Sequence, residues 1–208
     1  MDPAAVREAF DRAADAFVSV VATITPDEWA RPATDAWTVR ELVAHTSRAF
    51  LTVEQYLAAP TGNPGPASTA EYFTAALDLP GIHGDVAARG RDQVAALGDE
   101  PSATVTELAG RVVALVRERS DDAPVGTFLG DMTLVDYLPS RVVELVVHTL
   151  DLTDALGRPP TLGGAAARVA LAALAETAAL RPGLVDPAAL VRALTGRAPW
   201  RGDCNVLG

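Results

Sequence analysis

Four side chains that can carry protons or bind metal ions interrupt apolar stretches at two places in the sequence. Glu144, His148 and Asp151 lie in the apolar segment "ELVVHTLDL", and His45 lies in "TVRELVAHTSRAF" (38–50). Residues four apart on a helix lie one turn apart on the same face, so Glu144 and His148 are neighbours if this segment is helical. An unpaired carboxylate in apolar surroundings is costly, so Glu144 requires a partner or must be neutral.

His45 is far from this segment in sequence but has a similar setting. Leu42, His45 and Ala49 fall on one stripe of a helix, and this stripe has the character of an inward face. Two facing helices would bring His45 to Glu144 and His148. Two imidazoles and one carboxylate are a three-ligand set for a divalent metal, with a fourth position open for water or substrate.

Each of these residues also has a simpler interpretation, which the pattern alone leaves open. An inward histidine is commonly a hydrogen-bonded core residue, and a Glu–His pair four residues apart is often a plain hydrogen bond. Arg141, three residues before Glu144, is placed to neutralise it as an ordinary ion pair. Asp151 either accepts the second imidazole N–H of His148 or begins the solvated end of the helix.

Other reactive residue types are scarce. All 17 basic residues are Arg, which removes lysine chemistry from the available mechanisms. The single cysteine, Cys204, excludes an internal disulfide and a cysteine metal cluster, and it has no base near it in sequence. His83 lies in the glycine-rich stretch "GIHGD" and is expected at the surface.

Helices must position these residues, because apolar residues recur at helical spacing along most of the chain. The residue pairs Thr38/Glu41 and Thr104/Glu107 have the spacing of a capping box at a helix start. Residues 121–132 read as a loop with at most a short extended piece. The predicted helices span about residues 3–24, 38–59, 68–77, 104–119, 133–156, 163–180 and 187–195, with a weak one at 83–97. Short connections and the lack of a strand pattern predict an all-α helical bundle.

Composition narrows the classes of function. The chain has 208 residues, of which 49% are hydrophobic, and a formal net charge of −10. Such a chain can bury a full core, and its acidity argues against nucleic acid or anionic membrane as partners. It lacks a signal-peptide pattern and any apolar run of membrane-spanning length, so a cytoplasmic protein is expected. The absence of Lys, with heavy use of Ala, Val and Gly, suggests a GC-rich actinobacterial genome.

Two segments resemble the metal-ligand segments of the mycothiol-dependent maleylpyruvate isomerase family, which belongs to the DinB-like helical bundles. "ITPDEWARPATDAWTVRELVAH" (24–45) resembles the first segment, with two tryptophans before Thr-Val-Arg-Glu-Leu-Val-x-His. "LPSRVVELVVHTLDLTDALG" (138–157) resembles the second, Arg-x-x-Glu-x-x-x-His-x-x-Asp. The resemblance implies a DinB-like four-helix bundle that holds zinc, with nickel or iron(II) as alternatives, through His45, Glu144 and His148.

The neighbours of these ligands are then expected to support them. Arg141 and Asp151 lie one turn from a ligand and would act on the ligands without binding the metal. Trp37 would wall the cavity or pack in the core. The loops at 25–37 and 121–132 would form the mouth, where they supply Trp29, Trp37, Asp131 and Met132.

The resemblance also implies a division of the chain. Residues 1–157 are expected to form the metal-binding bundle, and residues 158–208 a short helical C-terminal extension packed on it. Longer relatives carry a C-terminal α/β domain that contributes an arginine to the isomerase active site. Neither Arg197 nor Arg201 aligns with that arginine, so the resemblance does not select a particular substrate.

The chemistry implied is that of a low-molecular-weight thiol, mycothiol, activated by the metal. A free thiol has a pKa near 8.5, and coordination to a divalent cation deprotonates it. If the thiolate adds to an electrophilic small molecule and the adduct is kept, the enzyme is an S-transferase. If addition is followed by bond rotation and elimination of the thiol, the enzyme is a cis–trans isomerase. The alternatives are a metal-dependent hydrolase, with Asp151 as its base, and a non-catalytic small-molecule-binding bundle that keeps the metal site. Monomer and homodimer both remain open.

Overall fold

The computed structural model describes residues 1–79, 93–160, 162–181 and 186–199, which form seven α-helices and one β-hairpin. The all-α fold predicted from the sequence is confirmed. The helices are α1 (Pro3–Val21), α2 (Val39–Ala58), α3 (Thr69–Leu77), α4 (Pro101–Glu118), α5 (Leu134–Ala155), α6 (Gly164–Leu180) and α7 (Pro187–Leu194). The hairpin strands are β1 (Pro124–Thr127) and β2 (Gly130–Thr133).

Four helices close a ring around the core. α1 packs against α4 and α5, and α2 packs against the same two helices on the other side of the ring. This arrangement is a four-helix bundle. α6 covers the outer face of α1 and α5, and α3 packs against α6 and α5.

The starts of α2 and α5 are set by side-chain caps, and the one at α2 is the cap that the sequence predicts. The Thr38 hydroxyl accepts from the backbone N–H of Glu41, and the Glu41 carboxylate accepts from the backbone N–H of Thr38, which completes a capping box. Thr133 caps α5 in the same way through the backbone N–H of Asp136. These two caps fix where the helices that carry His45 and Glu144 begin.

The capping box predicted from Thr104 is wrong. α4 begins three residues earlier, at Pro101, because proline suits the first helical position and lacks an N–H that would need a partner there. Thr104 therefore lies inside the helix, where its hydroxyl donates to the carbonyl oxygens of Leu97 and Glu100.

Residues 124–133 form an antiparallel hairpin where the sequence predicts a loop with a short extended piece. Pro124 pairs with Thr133, and Thr127 pairs with Gly130 across a two-residue turn. The turn residues are Phe128 and Leu129, whereas two-residue hairpin turns usually contain Asn, Asp or Gly. The sequence pattern therefore does not predict that the two strands pair. A Cβ at Gly126 would collide with the backbone of Ala59, so glycine lets the hairpin lie against the C-terminal end of α2.

The weak helix predicted at 83–97 falls largely outside the described residues, and within them Ala95–Leu97 forms a single 3₁₀ turn. Across the part of the chain that the structure describes, every helix is too short or too polar to cross a membrane.

Candidate metal centre

Three side chains from two helices converge on one point between α2 and α5. The Nε2 atom of His45 lies 3.7 Å from Oε2 of Glu144, and the Nε2 atom of His148 lies 3.5 Å from the same oxygen. One ligand atom from each residue lies within 4.8 Å of the others. Ligands bound tetrahedrally at about 2.1 Å stand about 3.4 Å apart, so the two distances to Glu144 match what a bound zinc-sized ion requires.

The packing of α2 on α5 produces this convergence. His45 on α2 meets Glu144 and His148 on α5, while Thr52, two turns later on α2, meets Arg141, which lies earlier on α5. The two helices therefore run antiparallel. His45 lies on the predicted inward stripe, and its neighbours on that stripe, Leu42, Ala49 and Val53, are buried with it.

Glu144 is ionised in this site and keeps an opening to solvent. Burial raises the pKa of its carboxyl, but hydrogen bonding to His148 and His45 and the charge of Arg141 outweigh burial and hold the pKa well below its usual value. Its side chain retains 30% of its exposure, whereas that of His45 retains 8%. The carboxylate is therefore available as an anionic ligand that a small molecule can approach.

Asp151 fixes the orientation of His148. Its Oδ2 atom lies 2.9 Å from Nδ1 of His148, the ring nitrogen that points away from Glu144. Burial lowers the pKa of His148, but the hydrogen bond to Asp151 and the carboxylate of Glu144 outweigh burial and raise that pKa to about 9. When the imidazole is neutral, an Nδ1–H donated to Asp151 leaves the Nε2 lone pair directed at the other two ligand atoms.

The ring of Trp37 packs against two of the three converging side chains. Its ring stacks on His45 with centroids 4.4 Å apart, and it meets the ring of His148 edge-on at 6.0 Å. The indole Nε1 of Trp37 and the Nδ1 of His45 are both buried without a hydrogen-bond partner among the described residues. Trp37 thus holds the His45 ring in place by packing and covers it from water.

The ion pair between Arg141 and Glu144, weighed as an alternative from the sequence, is not formed. Among the described residues the guanidinium of Arg141 bonds to the hydroxyls of Ser140 and Thr52, and it lies over the ring of Tyr137 at 5.0 Å. Its effect on Glu144 is electrostatic and acts over a longer distance.

Two of the other residues predicted at the mouth, Asp131 and Met132, lie in the hairpin against the far end of α2. The carboxylate of Asp131 accepts from Thr61 and Gly62 beyond the C-terminal end of α2, about 20 Å along that helix from His45. Met132 is buried in the core, and Trp29 packs against the core. Arg197 is exposed on the surface after α7, and His83, Arg201 and Cys204 fall outside the described residues.

Sequence reasoning did not single out three polar residues in the cluster that contains Arg141. They are Thr52, Tyr72 and Tyr137, and the Tyr137 hydroxyl donates to Thr52 at 3.0 Å. Thr52 lies seven residues after His45 and so shares its helix face, which is a signal that the pattern contained. Tyr72 comes from α3, and no periodicity relates it to α2 or α5.

The donor set fits a divalent ion. Two imidazole nitrogens and one ionised carboxylate face one point, and Asp151 holds one imidazole by its far nitrogen, as in many sites for zinc and similar metals. Fold and site together define a helical-bundle protein with a candidate three-residue metal centre that is open on one side.

Comparison with known proteins supplies the family. The family model described as the mycothiol maleylpyruvate isomerase N-terminal domain matches residues 10–153, which include the whole ligand trio. The chain belongs to this family. No curated protein and no solved structure matches the chain.

Proposed function

We propose that this protein is a metal-dependent enzyme that uses a low-molecular-weight thiol, mycothiol, as its nucleophile toward an electrophilic small molecule. The observation that carries the proposal is the convergence of His45, Glu144 and His148 within the region that the family model matches. The product is either an S-conjugate or, after rotation and elimination of the thiol, a cis–trans isomer.

A divalent ion bound by the trio would lower the pKa of a thiol in its open position, so that thiolate is present at neutral pH. The chain's own residues prepare the site for this. Asp151 orients His148, and the stacked ring of Trp37 keeps His45 in place and shields it from water. Against the effect of burial, hydrogen bonds to His148 and His45, together with the charge of Arg141, hold the pKa of Glu144 well below its usual value, so its carboxylate is ionised. The protein offers no lysine, which is consistent with a borrowed nucleophile.

The hydrolase alternative requires a general base near the open position. Asp151, the candidate base from the sequence, contacts the far nitrogen of His148, where it serves as an orienting acceptor. This contact favours the thiol chemistry over hydrolysis. Metal content and thiol binding distinguish the thiol-dependent enzyme from a hydrolase and from a non-catalytic bundle.

The first test measures metal content. The full chain, purified without chelator and incubated with zinc, should hold about one ion per chain by elemental analysis. His148→Ala should lose most of this metal, because two remaining ligands do not hold an ion tightly. The absence of metal after incubation with zinc, nickel or iron(II) would contradict the proposal.

The second test measures thiol binding. Calorimetry on the metal-loaded protein should show binding of mycothiol, and mycothiol with its sulfur methylated should bind much more weakly. Removal of the metal should abolish the difference between the two ligands. Equal binding of both ligands, with no thiol-dependent turnover of any electrophile tested, would favour the hydrolase or the non-catalytic bundle.

A further inference from the structure

The helix α6 is apolar on its solvent-facing side as well as on its inner side. Every residue of α6 is Ala, Val or Leu apart from four, which are Gly164, Arg168, Glu176 and Thr177. The inner side is buried where α6 packs against α1, α5 and α3. A helix that is apolar all round is normally buried all round, so the outer side of α6 lacks the cover that its composition requires.

The outer face of α6 is formed by five apolar residues that follow one another along the helix, Leu171, Ala172, Ala175, Ala179 and Leu180. All five are exposed in the described structure, Leu171 by 67% and Leu180 by 49%. The bundle helix α4, by contrast, exposes mainly charged residues, namely Glu107, Arg111, Arg117 and Glu118. A continuous apolar surface of this kind on a globular protein marks contact with another molecule.

The two charged residues of α6 lie beside this outer face, four residues before and four residues after Ala172. Arg168 and Glu176 are both exposed, and among the described residues neither side chain has an ion-pair or hydrogen-bond partner. Because positions four apart are neighbours on a helix, Arg168, Ala172 and Glu176 form one row along α6. The row has a positive end, a small apolar centre and a negative end.

We propose that the outer face of α6 binds the same face of a second copy of this chain, as an antiparallel helix pair whose two-fold axis passes through Ala172. The axis places Arg168 opposite the partner's Glu176, and symmetry repeats this contact on the other side. A parallel pair would instead place like charges opposite each other at both ends of the row. Alanine at the centre lets the two helix axes approach closely, and Leu171 of each copy flanks the contact.

The size of this face indicates a weak dimer. α6 has 17 residues, so it is about 25 Å long. A contact strip of that length and about 10 Å wide is much smaller than the roughly 800 Å² per partner of a standard interface. We therefore expect a dimer that forms and dissociates at micromolar concentrations. Its contacts lie outside residues 10–153, which the family model matches, and include none of the candidate metal ligands.

Sedimentation equilibrium of the full chain from about 1 to about 200 μM tests the pairing. The parent should pass from monomer to dimer, and Ala172→Glu should remain monomeric because it brings two carboxylates together at the axis. Arg168→Glu should weaken the dimer by at least about tenfold, since like charges replace both ion pairs. The double variant Arg168→Glu/Glu176→Arg exchanges the two charges and should restore the parent's affinity.

The matched control is Arg119→Glu, which changes the net charge by the same amount at the exposed C-terminal end of α4 and should dimerise as the parent does. Circular dichroism of each variant checks that the bundle is intact. If Ala172→Glu does not fold, Arg168→Glu and the double variant still decide the question.

Three results would overturn the proposal. A parent that stays monomeric at about 200 μM would show that a second copy does not cover this face. A dimer equally strong in the parent and in Ala172→Glu would use another surface. A double variant no stronger than Arg168→Glu would contradict the antiparallel arrangement, because exchanged charges must restore it.

Discussion

The substitution Asp151→Asn tests how the candidate centre is supported. It keeps the shape and one acceptor oxygen of the side chain but removes the negative charge that lies 2.9 Å from Nδ1 of His148. Loss of such a supporting group usually weakens metal binding by about 10- to 100-fold. The side chain of Asp151 is 35% exposed, so water already screens part of its charge. We therefore expect the lower end, about tenfold, which is about 1.4 kcal/mol.

The pH at which this loss is measured changes its size. Burial lowers the pKa of His148, but Asp151 and Glu144 raise it to about 9, so a proton competes with the metal at neutral pH. Asp151→Asn lowers that pKa and eases the competition, which offsets part of the loss. Above pH 9 the proton no longer competes, and the full weakening should appear.

The assay is competition with a chelating dye in metal-buffered solution, at neutral pH and just above pH 9. The parent should exceed Asp151→Asn in zinc affinity at both pH values, and by a larger factor at the higher one. Asp154→Asn, the same change at an exposed position one turn later on α5, is the control. If both variants bind zinc within twofold of the parent above pH 9, Asp151 does not support a metal ligand and the reasoning fails.

Three further predictions concern the ligand trio and its helices. Glu144→Gln should hold well under one zinc per chain by elemental analysis, while Glu54→Gln, which breaks a surface ion pair with Arg111, should keep the parent's content. In the parent, zinc affinity should rise with pH by up to about tenfold per pH unit and level off near pH 9, because the pKa of His148 is about 9 and its proton competes with the metal. Zinc affinity that does not change with pH would contradict His148 as a metal ligand. Thr38→Ala should lower the free energy of unfolding by about 0.5–2 kcal/mol in urea titrations because the capping box of α2 is lost, with zinc content unchanged.

The helices were predictable because their signals are local. The pair Thr38/Glu41 marks the start of α2, and this capping box is formed as predicted. The helix start predicted from the pair Thr104/Glu107 was wrong, because Pro101 occupies the first helical position of α4 and the helix begins there. The hairpin at residues 124–133 was missed because its stability depends on packing against the end of α2, which no local pattern encodes.

The site was predictable to the extent that its residues share helix faces. Glu144, His148 and Asp151 lie on α5 at intervals of four and three residues, so their proximity follows from helix geometry. His45 required a second step, that the inward stripe of α2 faces α5. The position of Tyr72 could not be predicted, because its contact with Tyr137 depends on how α3 packs against α5.

The position of Arg141 shows how the two kinds of information combine. Its spacing from Glu144 is that of an ordinary helical ion pair, and sequence alone gives no reason to reject one. In the fold, the guanidinium bonds to Ser140 and Thr52 and lies over the ring of Tyr137, and it forms no ion pair with Glu144. Its charge acts on Glu144 through space and, with the hydrogen bonds to His148 and His45, holds the pKa of that carboxyl well below its usual value. Because Arg141 does this without contacting the carboxylate, the oxygen of Glu144 that faces the two histidines stays available as a ligand atom.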